Sequence, residues 1–190
     1  YFKNRDQDAC KRALGVITEK PLVLCIAADL EEERKGGNIL KEILSSEFDD
    51  VNFLLIGRTT NSIADHKENI YSLGFIQDEL TMQIAYHASD IVIHPAPIDN
   101  LPNTVAEALS AGTPILSFKT GGLPEMVVSG KSGWLVPKIN AQLMTRELHS
   151  ILETCSYKKL RNSSKELAWQ LFDPKEIGKQ YMDIINGLVS

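Results

Sequence analysis

A chain of 190 residues is long enough for one sizeable domain and too short for two comfortable ones. Its composition, 43% hydrophobic and 24% charged residues, is that of an ordinary soluble globular domain. The net charge of −5 excludes a general attraction for nucleic acid or anionic membrane surfaces, leaving phosphate binding to local basic clusters. Three scattered cysteines, Cys10, Cys25 and Cys155, form neither a disulfide framework nor a metal motif, so a reducing cytoplasm is the expected setting. No apolar run approaches the ~20 residues of a membrane span. The chain begins Tyr1, Phe2, Lys3, without methionine or a signal-peptide pattern, and is expected to be a piece of a longer protein.

In chain order, residues 6–14 read as a short amphipathic helix. The apolar run at 21–28 reads as a strand buried on both faces. An acidic and then basic loop follows at 29–35, ending in Gly36 and Gly37. Ile39, Leu40, Ile43 and Leu44 recur at helical spacing within 38–46. Strands are expected at 51–57 and, shorter, at 69–76. A helix at 78–88 places Leu80, Ile84, Ala85 and Ala88 on one side. A strand at 90–94, a helix at 103–111 and a strand at 114–118 come next, then a turn with a short helix at 121–128 and a last strand at 133–136. Helices fill most of 140–170 and 174–188.

Strands alternating with helices predict a doubly wound, Rossmann-like parallel sheet with helices on both faces, an α/β domain with right-handed crossovers. Such sheets bind ligands outside the carboxyl ends of their strands. Those ends are the loops at 28–37, 57–61, 74–78, 95–103 and 119–124.

Three of these loops carry residues with chemistry. The stretch Asp99, Asn100, Leu101, Pro102, Asn103, Thr104, Val105 leads into a helix containing Glu107. A helix start offers unpaired N–H groups and a positive dipole end, which suits a diphosphate. Thr104 and Glu107 also fit a capping box, with Thr104 at the N-cap, and on spacing alone a cap is the favoured explanation of Glu107, since caps of this kind are common. Arg34 and Lys35 before Gly36 and Gly37 combine a forked donor and a mobile point charge with a backbone that packs closely, although such a charge run is commonly a solvated face. Gly121 and Gly122 allow a close backbone approach to a ligand, or simply a tight turn. His94 stands at a strand end where it could face the cleft, whereas His66, His87 and His149 show no metal spacing. No dinucleotide fingerprint, P-loop or nucleophile elbow is present.

Taken together, residues 89–95, 99–114, 121–127 and 130–136, with the Lys35–Gly36 pair and the segment 69–74, resemble the C-terminal half of family 4 glycosyltransferases of the GT-B fold. The group that builds bacterial surface and capsular polysaccharides is the most similar, because the run from Asp99 to Thr104 is common there. The resemblance covers nearly the whole chain and implies one nucleotide-sugar-binding domain over 1–190, one half of a GT-B fold, with the N-terminal acceptor domain absent.

The resemblance also implies roles. Asp99 and Glu107 stand at the spacing of the family's two carboxylates, Asp99 being shorter than the usual Glu. The first lies near the donor sugar and the second bonds the ribose. Lys35 matches the family's lysine and acts with Asp99 and Glu107 in catalysis. The usual arginine position holds Ala28 or Asp29, which makes Arg34 the substitute donor-binding cation. Gly74, Phe75 and Ile76 receive the base, and Asn100, Leu101, Pro102, Asn103, Thr104 and Val105 the diphosphate or sugar.

The implied activity is that of a retaining hexosyltransferase. It moves a sugar from a UDP- or GDP-sugar to a glycan or lipid-linked acceptor, without metal or other cofactor. It works in the cytoplasm, peripheral to the membrane through the acceptor domain, and this piece alone is expected to bind donor without turnover. Two alternatives stand beside it: a nucleotide-sugar epimerase of the same fold, and a non-catalytic Rossmann-like nucleotide-binding module.

Overall fold

The structure, a computed structural model, describes residues 5–48, 50–59 and 67–189; His66 and the far end of the 57–61 loop lie outside the described residues. Six strands form one parallel sheet: β1 (Leu22–Asp29), β2 (Asn52–Arg58), β3 (Ile70–Ser72), β4 (Ile91–His94), β5 (Ile115–Phe118) and β6 (Gly133–Val136). Their order is β3-β2-β1-β4-β5-β6, with every pairing parallel. The chain order therefore reverses at β1 and β4, and a crevice opens outside their carboxyl ends.

The strand sequences explain the two layers. Val23, Cys25, Phe53, Leu55, Ile91, Ile93, Leu116 and Phe118 point to one face, and Leu22, Leu24, Leu54, Ile56, Val92 and Ile115 to the other. Helices α2 (Gly37–Ser45) and α6 (Ala141–Glu153) cover the first face with Leu40, Ile43, Met144, Leu148 and Ile151. Helices α1 (Gln7–Ala13), α3 (Glu79–Ala88), α4 (Asn103–Ala111) and α7 (Arg161–Phe172) cover the second, using Cys10, Ala85, Tyr86, Val105, Ala108, Leu109 and Ala168.

Asp90 ties this second layer to the sheet at the end away from the crevice. Its carboxylate accepts the Leu22 N–H at 2.9 Å and the Gln7 amide at 2.9 Å. Arg161 donates to the Ser89 carbonyl beside it at 2.6 Å. Short α5 (Leu123–Met126) follows β5, and α8 (Pro174–Val189) ends the described chain. Tyr181, Ile184, Ile185 and Leu188 of α8 are exposed.

Three expectations are corrected in detail. The third strand covers only 70–72, so Gly74 to Ile76 are loop. The helical stretch at 140–170 breaks after Glu153, where Cys155 adopts a left-handed conformation (φ 49°) and a 3-10 turn runs from Ser156 to Lys159. Leu80, expected on the buried side of its helix, is half exposed; the buried residues there are Ala85, Tyr86, His87 and Ala88. Among the described residues no helix is long and apolar enough to cross a membrane.

Candidate active site

The crevice is built where three loops interlock, and glycines make the interlock possible. Gly36, at φ 85°, lies against the Pro95 carbonyl, so a Cβ there would sit 2.2 Å from that oxygen. Gly121, at φ 53°, lies against the Asp99 carbonyl, and Gly122 against that of Asn100; a Cβ at either would come within 1.9 Å. Only a residue without a side chain fits contacts of this kind. The close approach that Gly121 and Gly122 make is to the backbone of the 95–102 loop. The effect is to clamp Asp99 and Asn100 from one side while Gly36 clamps Pro95 from the other.

Within that clamp the Lys35 ammonium donates to Asp99 Oδ2 at 3.0 Å. Both side chains are largely shielded, so this pair is worth more than an exposed one. His94, the last residue of β4, sits below them. Its Nε2 lies 3.4 Å from the same oxygen, outside good hydrogen-bond geometry, and this buried nitrogen has no bonded partner. Burial drives the His94 pKa down from 6.5 to about 4, Lys35 adding to the effect and Asp99 opposing it, so the imidazole is neutral near pH 7.

That shift has a consequence for stability. The unfolded chain protonates this histidine near pH 6.5 and the folded chain only near 4, so its contribution is complete above about pH 6.5 and is lost as the pH falls toward 4. His94→Gln should therefore flatten the profile. In denaturant titrations at pH 7 and pH 4.5, the wild type is expected to lose about 2.5 kcal/mol more than the variant.

Glu107 is on α4, and its surroundings correct the capping box. The helix begins at Asn103 with Pro102 as N-cap, and no side chain caps it. Glu107 is therefore in the second turn, too far along to reach back. The extended conformation of Pro102 (φ −69°, ψ 121°) sets this start, and the Val105 and Ala106 N–H groups turn back to its carbonyl. The N–H groups of Asn103 and Thr104 remain at the open end. Glu107 Oε2 instead accepts the Tyr86 hydroxyl of α3 at 2.7 Å. Burial, then the Glu107 charge, pushes the Tyr86 pKa up, so Tyr86 stays a phenol and a donor.

The remaining site residues spread around the rim. Asn100, Leu101 and Asn103 are exposed, Thr104 is half-buried, and Pro102 and Val105 are buried. Gly74 is tied to β2 through the Gly57 N–H, which donates to its carbonyl at 2.8 Å. Phe75 is half exposed and carries the Arg58 guanidinium 5.3 Å above its ring, while Ile76 packs against the core. Arg34 is not gathered into the cluster. Its guanidinium pairs with Glu32 at 2.9 Å on an exposed surface, where such pairs contribute little.

Sequence reasoning missed Tyr86 altogether, and it missed Arg58, which a cation directly after a buried strand would have signalled. Among the described residues no group of three or more His, Cys, Asp or Glu side chains is placed to hold a metal ion.

A six-stranded parallel sheet in this order, with a polar cluster outside the carboxyl ends of β1 and β4, defines a doubly wound Rossmann-like α/β protein. Residues 20–154 match the family described as glycosyl transferases group 1, and the chain belongs to that family, whose members have the GT-B fold.

A Salmonella typhimurium protein that carries the provisional name colanic acid biosynthesis glycosyltransferase WcaL is 30% identical over 90 residues, 46% of this chain and 22% of its own. HepE of Anabaena, solved with UDP-glucose, superposes with a TM-score of 0.77 at 21% identity, over 98% of this chain and 54% of its own. The C-terminal domain of LpcC, a glycosyl transferase group 1 family protein of Francisella tularensis, superposes with a TM-score of 0.70 at 17% identity, over 89% of this chain and 94% of that domain. The chain thus spans about a fifth of the Salmonella relative and about half of HepE. The family is one of transferases, and nothing in these comparisons supports the epimerase alternative.

Proposed function

We propose that the chain is the donor-binding half of a retaining glycosyltransferase that moves a hexose from a nucleotide diphosphate sugar to a glycan or lipid-linked acceptor. The observation that carries this reading is the Lys35–Asp99 pair at 3.0 Å, a lysine and a carboxylate held together at the mouth of the crevice, with the open end of α4 close by in the chain. In the reaction the bond between the anomeric carbon and the phosphate breaks, and charge develops on the leaving diphosphate. Lys35 and the N–H groups of Asn103 and Thr104 stabilise that charge as preorganised donors. Glu107 bonds the ribose, Asp99 faces the donor sugar, and the base lies along Gly74, Phe75 and Ile76. No metal ion is needed for this.

HepE, a protein of the same fold, was solved with UDP-glucose, which favours a uridine nucleotide as the first probe. The acceptor domain lies outside this chain and covers the exposed apolar face of α8; the whole enzyme works in the cytoplasm at the membrane surface. A role in surface or capsular polysaccharide synthesis agrees with the name of the Salmonella relative.

The test is a thermal-shift and calorimetric titration with UDP and GDP. A ligand at ~100 times its dissociation constant is expected to stabilise the fold by ~2.7 kcal/mol, and Lys35→Ala should remove most of that gain. No response to either nucleotide would sink the reading. Sugar transfer by the isolated chain at an ordinary enzyme rate would sink the assignment of the acceptor site to a separate domain.

A further inference from the structure

We propose that His94 is a positioning residue for Asp99, taking over the carboxylate when Lys35 turns to the donor's diphosphate; this rests on the donor-binding reading above. Asp99 presents one oxygen, Oδ2, to two groups at once: Lys35 Nζ at 3.0 Å and His94 Nε2 at 3.4 Å. The three side chains are layered by depth. His94 is 7% exposed, Asp99 15% and Lys35 27%, so Lys35 alone can swing outward to a ligand without opening the core.

Among the described residues Lys35 is the one hydrogen-bond donor to this carboxylate. When it leaves, Asp99 is a largely buried charge without a bonded partner, an arrangement that strongly opposes the move. The group placed to relieve it is already there. His94 Nε2 is buried and has no bonded partner of its own, and a shift of well under 1 Å in the carboxylate brings 3.4 Å to an ordinary hydrogen-bond length. With Nε2 protonated, a neutral imidazole donates to Asp99 without cancelling its charge, so the carboxylate keeps its electrostatic effect on a sugar above it.

The charged groups that act on His94 are Asp99 and Lys35, and its neighbour across the sheet, Ser117 of β5, is uncharged. Departure of the Lys35 ammonium removes one of the influences that keep the imidazole neutral, so nucleotide binding should also make His94 easier to protonate.

The experiment is a double-mutant cycle on the whole chain, read as UDP affinity by calorimetry. His94→Leu is expected to weaken UDP about tenfold, although His94 lies beneath Asp99 and makes no contact with the nucleotide. His94→Gln, whose amide donates from a similar place, should restore binding to near the wild-type value. Asp99→Asn removes the ion pair that Lys35 has to leave and supplies the second background of the cycle. In that background His94→Leu should cost nothing further.

Additive costs, or wild-type affinity in His94→Leu, would overturn the positioning role while leaving the nucleotide site intact. Failure of the wild type to bind either UDP or GDP would overturn the donor-binding reading and this inference with it. Should His94→Leu not fold, the imidazole nitrogens of the wild type can be followed by NMR across pH, with and without saturating UDP. The His94 titration should move upward on binding, and an unchanged midpoint would overturn the proposal.

Discussion

Gly121→Ala is expected to destabilise the fold by about 3 kcal/mol and to displace Asp99. Two separate costs combine. An alanine held at φ 53° pays roughly 1–2 kcal/mol for the left-handed conformation, and its Cβ, 1.9 Å from the Asp99 carbonyl oxygen, forces the two loops apart at a cost of about 1–3 kcal/mol. Gly74 separates the two. It has a similar φ of 68°, and a Cβ there would meet nothing within 4 Å, so Gly74→Ala should cost only about 1 kcal/mol. Denaturant midpoints of the two variants, compared at equal slope, measure the difference. Because the displaced atoms belong to Asp99 itself, Gly121→Ala should also weaken UDP binding, whereas a loop that merely turned there would leave it unchanged.

The sheet was legible because its signal is local. A strand buried on both faces is a continuous apolar run, and Leu22, Val23, Leu24 and Cys25 feed alternate side chains into the two cores. The loops that matter followed from topology, since ligands gather at the carboxyl ends of such strands. What was not legible is tertiary or depends on a single dihedral. Tyr86 and Glu107 are 21 residues apart and meet only because α3 and α4 pack side by side. Thr104, Val105, Ala106 and Glu107 satisfy the capping-box spacing, but Pro102 starts the helix earlier, and spacing cannot report which residue wins. The break at Cys155 has no glycine or proline to announce it. His94 was visible as a strand-end residue facing the cleft, whereas its 3.4 Å approach to Asp99 depends on how the 95–102 loop folds back between Gly36 and Gly121.

Glu107→Ala is expected to lower UDP affinity about 100-fold, while Tyr86→Phe changes it by no more than about threefold. A carboxylate that accepts two ribose hydroxyls makes charge-assisted bonds, each worth about 1.5–3 kcal/mol; losing both, with partial replacement by water, gives a loss of that order. Tyr86 holds the carboxylate from the other side at 2.7 Å. Removing its hydroxyl takes away a support, and α4 still carries Glu107 into the crevice. On stability the two substitutions should be less far apart. Glu107→Ala leaves the buried Tyr86 hydroxyl short of its acceptor, costing about 1–3 kcal/mol, and Tyr86→Phe removes donor and need together, costing about 1 kcal/mol. If Glu107 served only as the partner of Tyr86, both variants would bind UDP alike. A further comparison isolates the ribose contact itself. The wild type should favour UDP over its 2′,3′-dideoxy analogue by at least about tenfold, and Glu107→Ala should bind the two equally. Equal binding by the wild type would remove Glu107 from the ribose and leave it as the acceptor that joins α3 to α4.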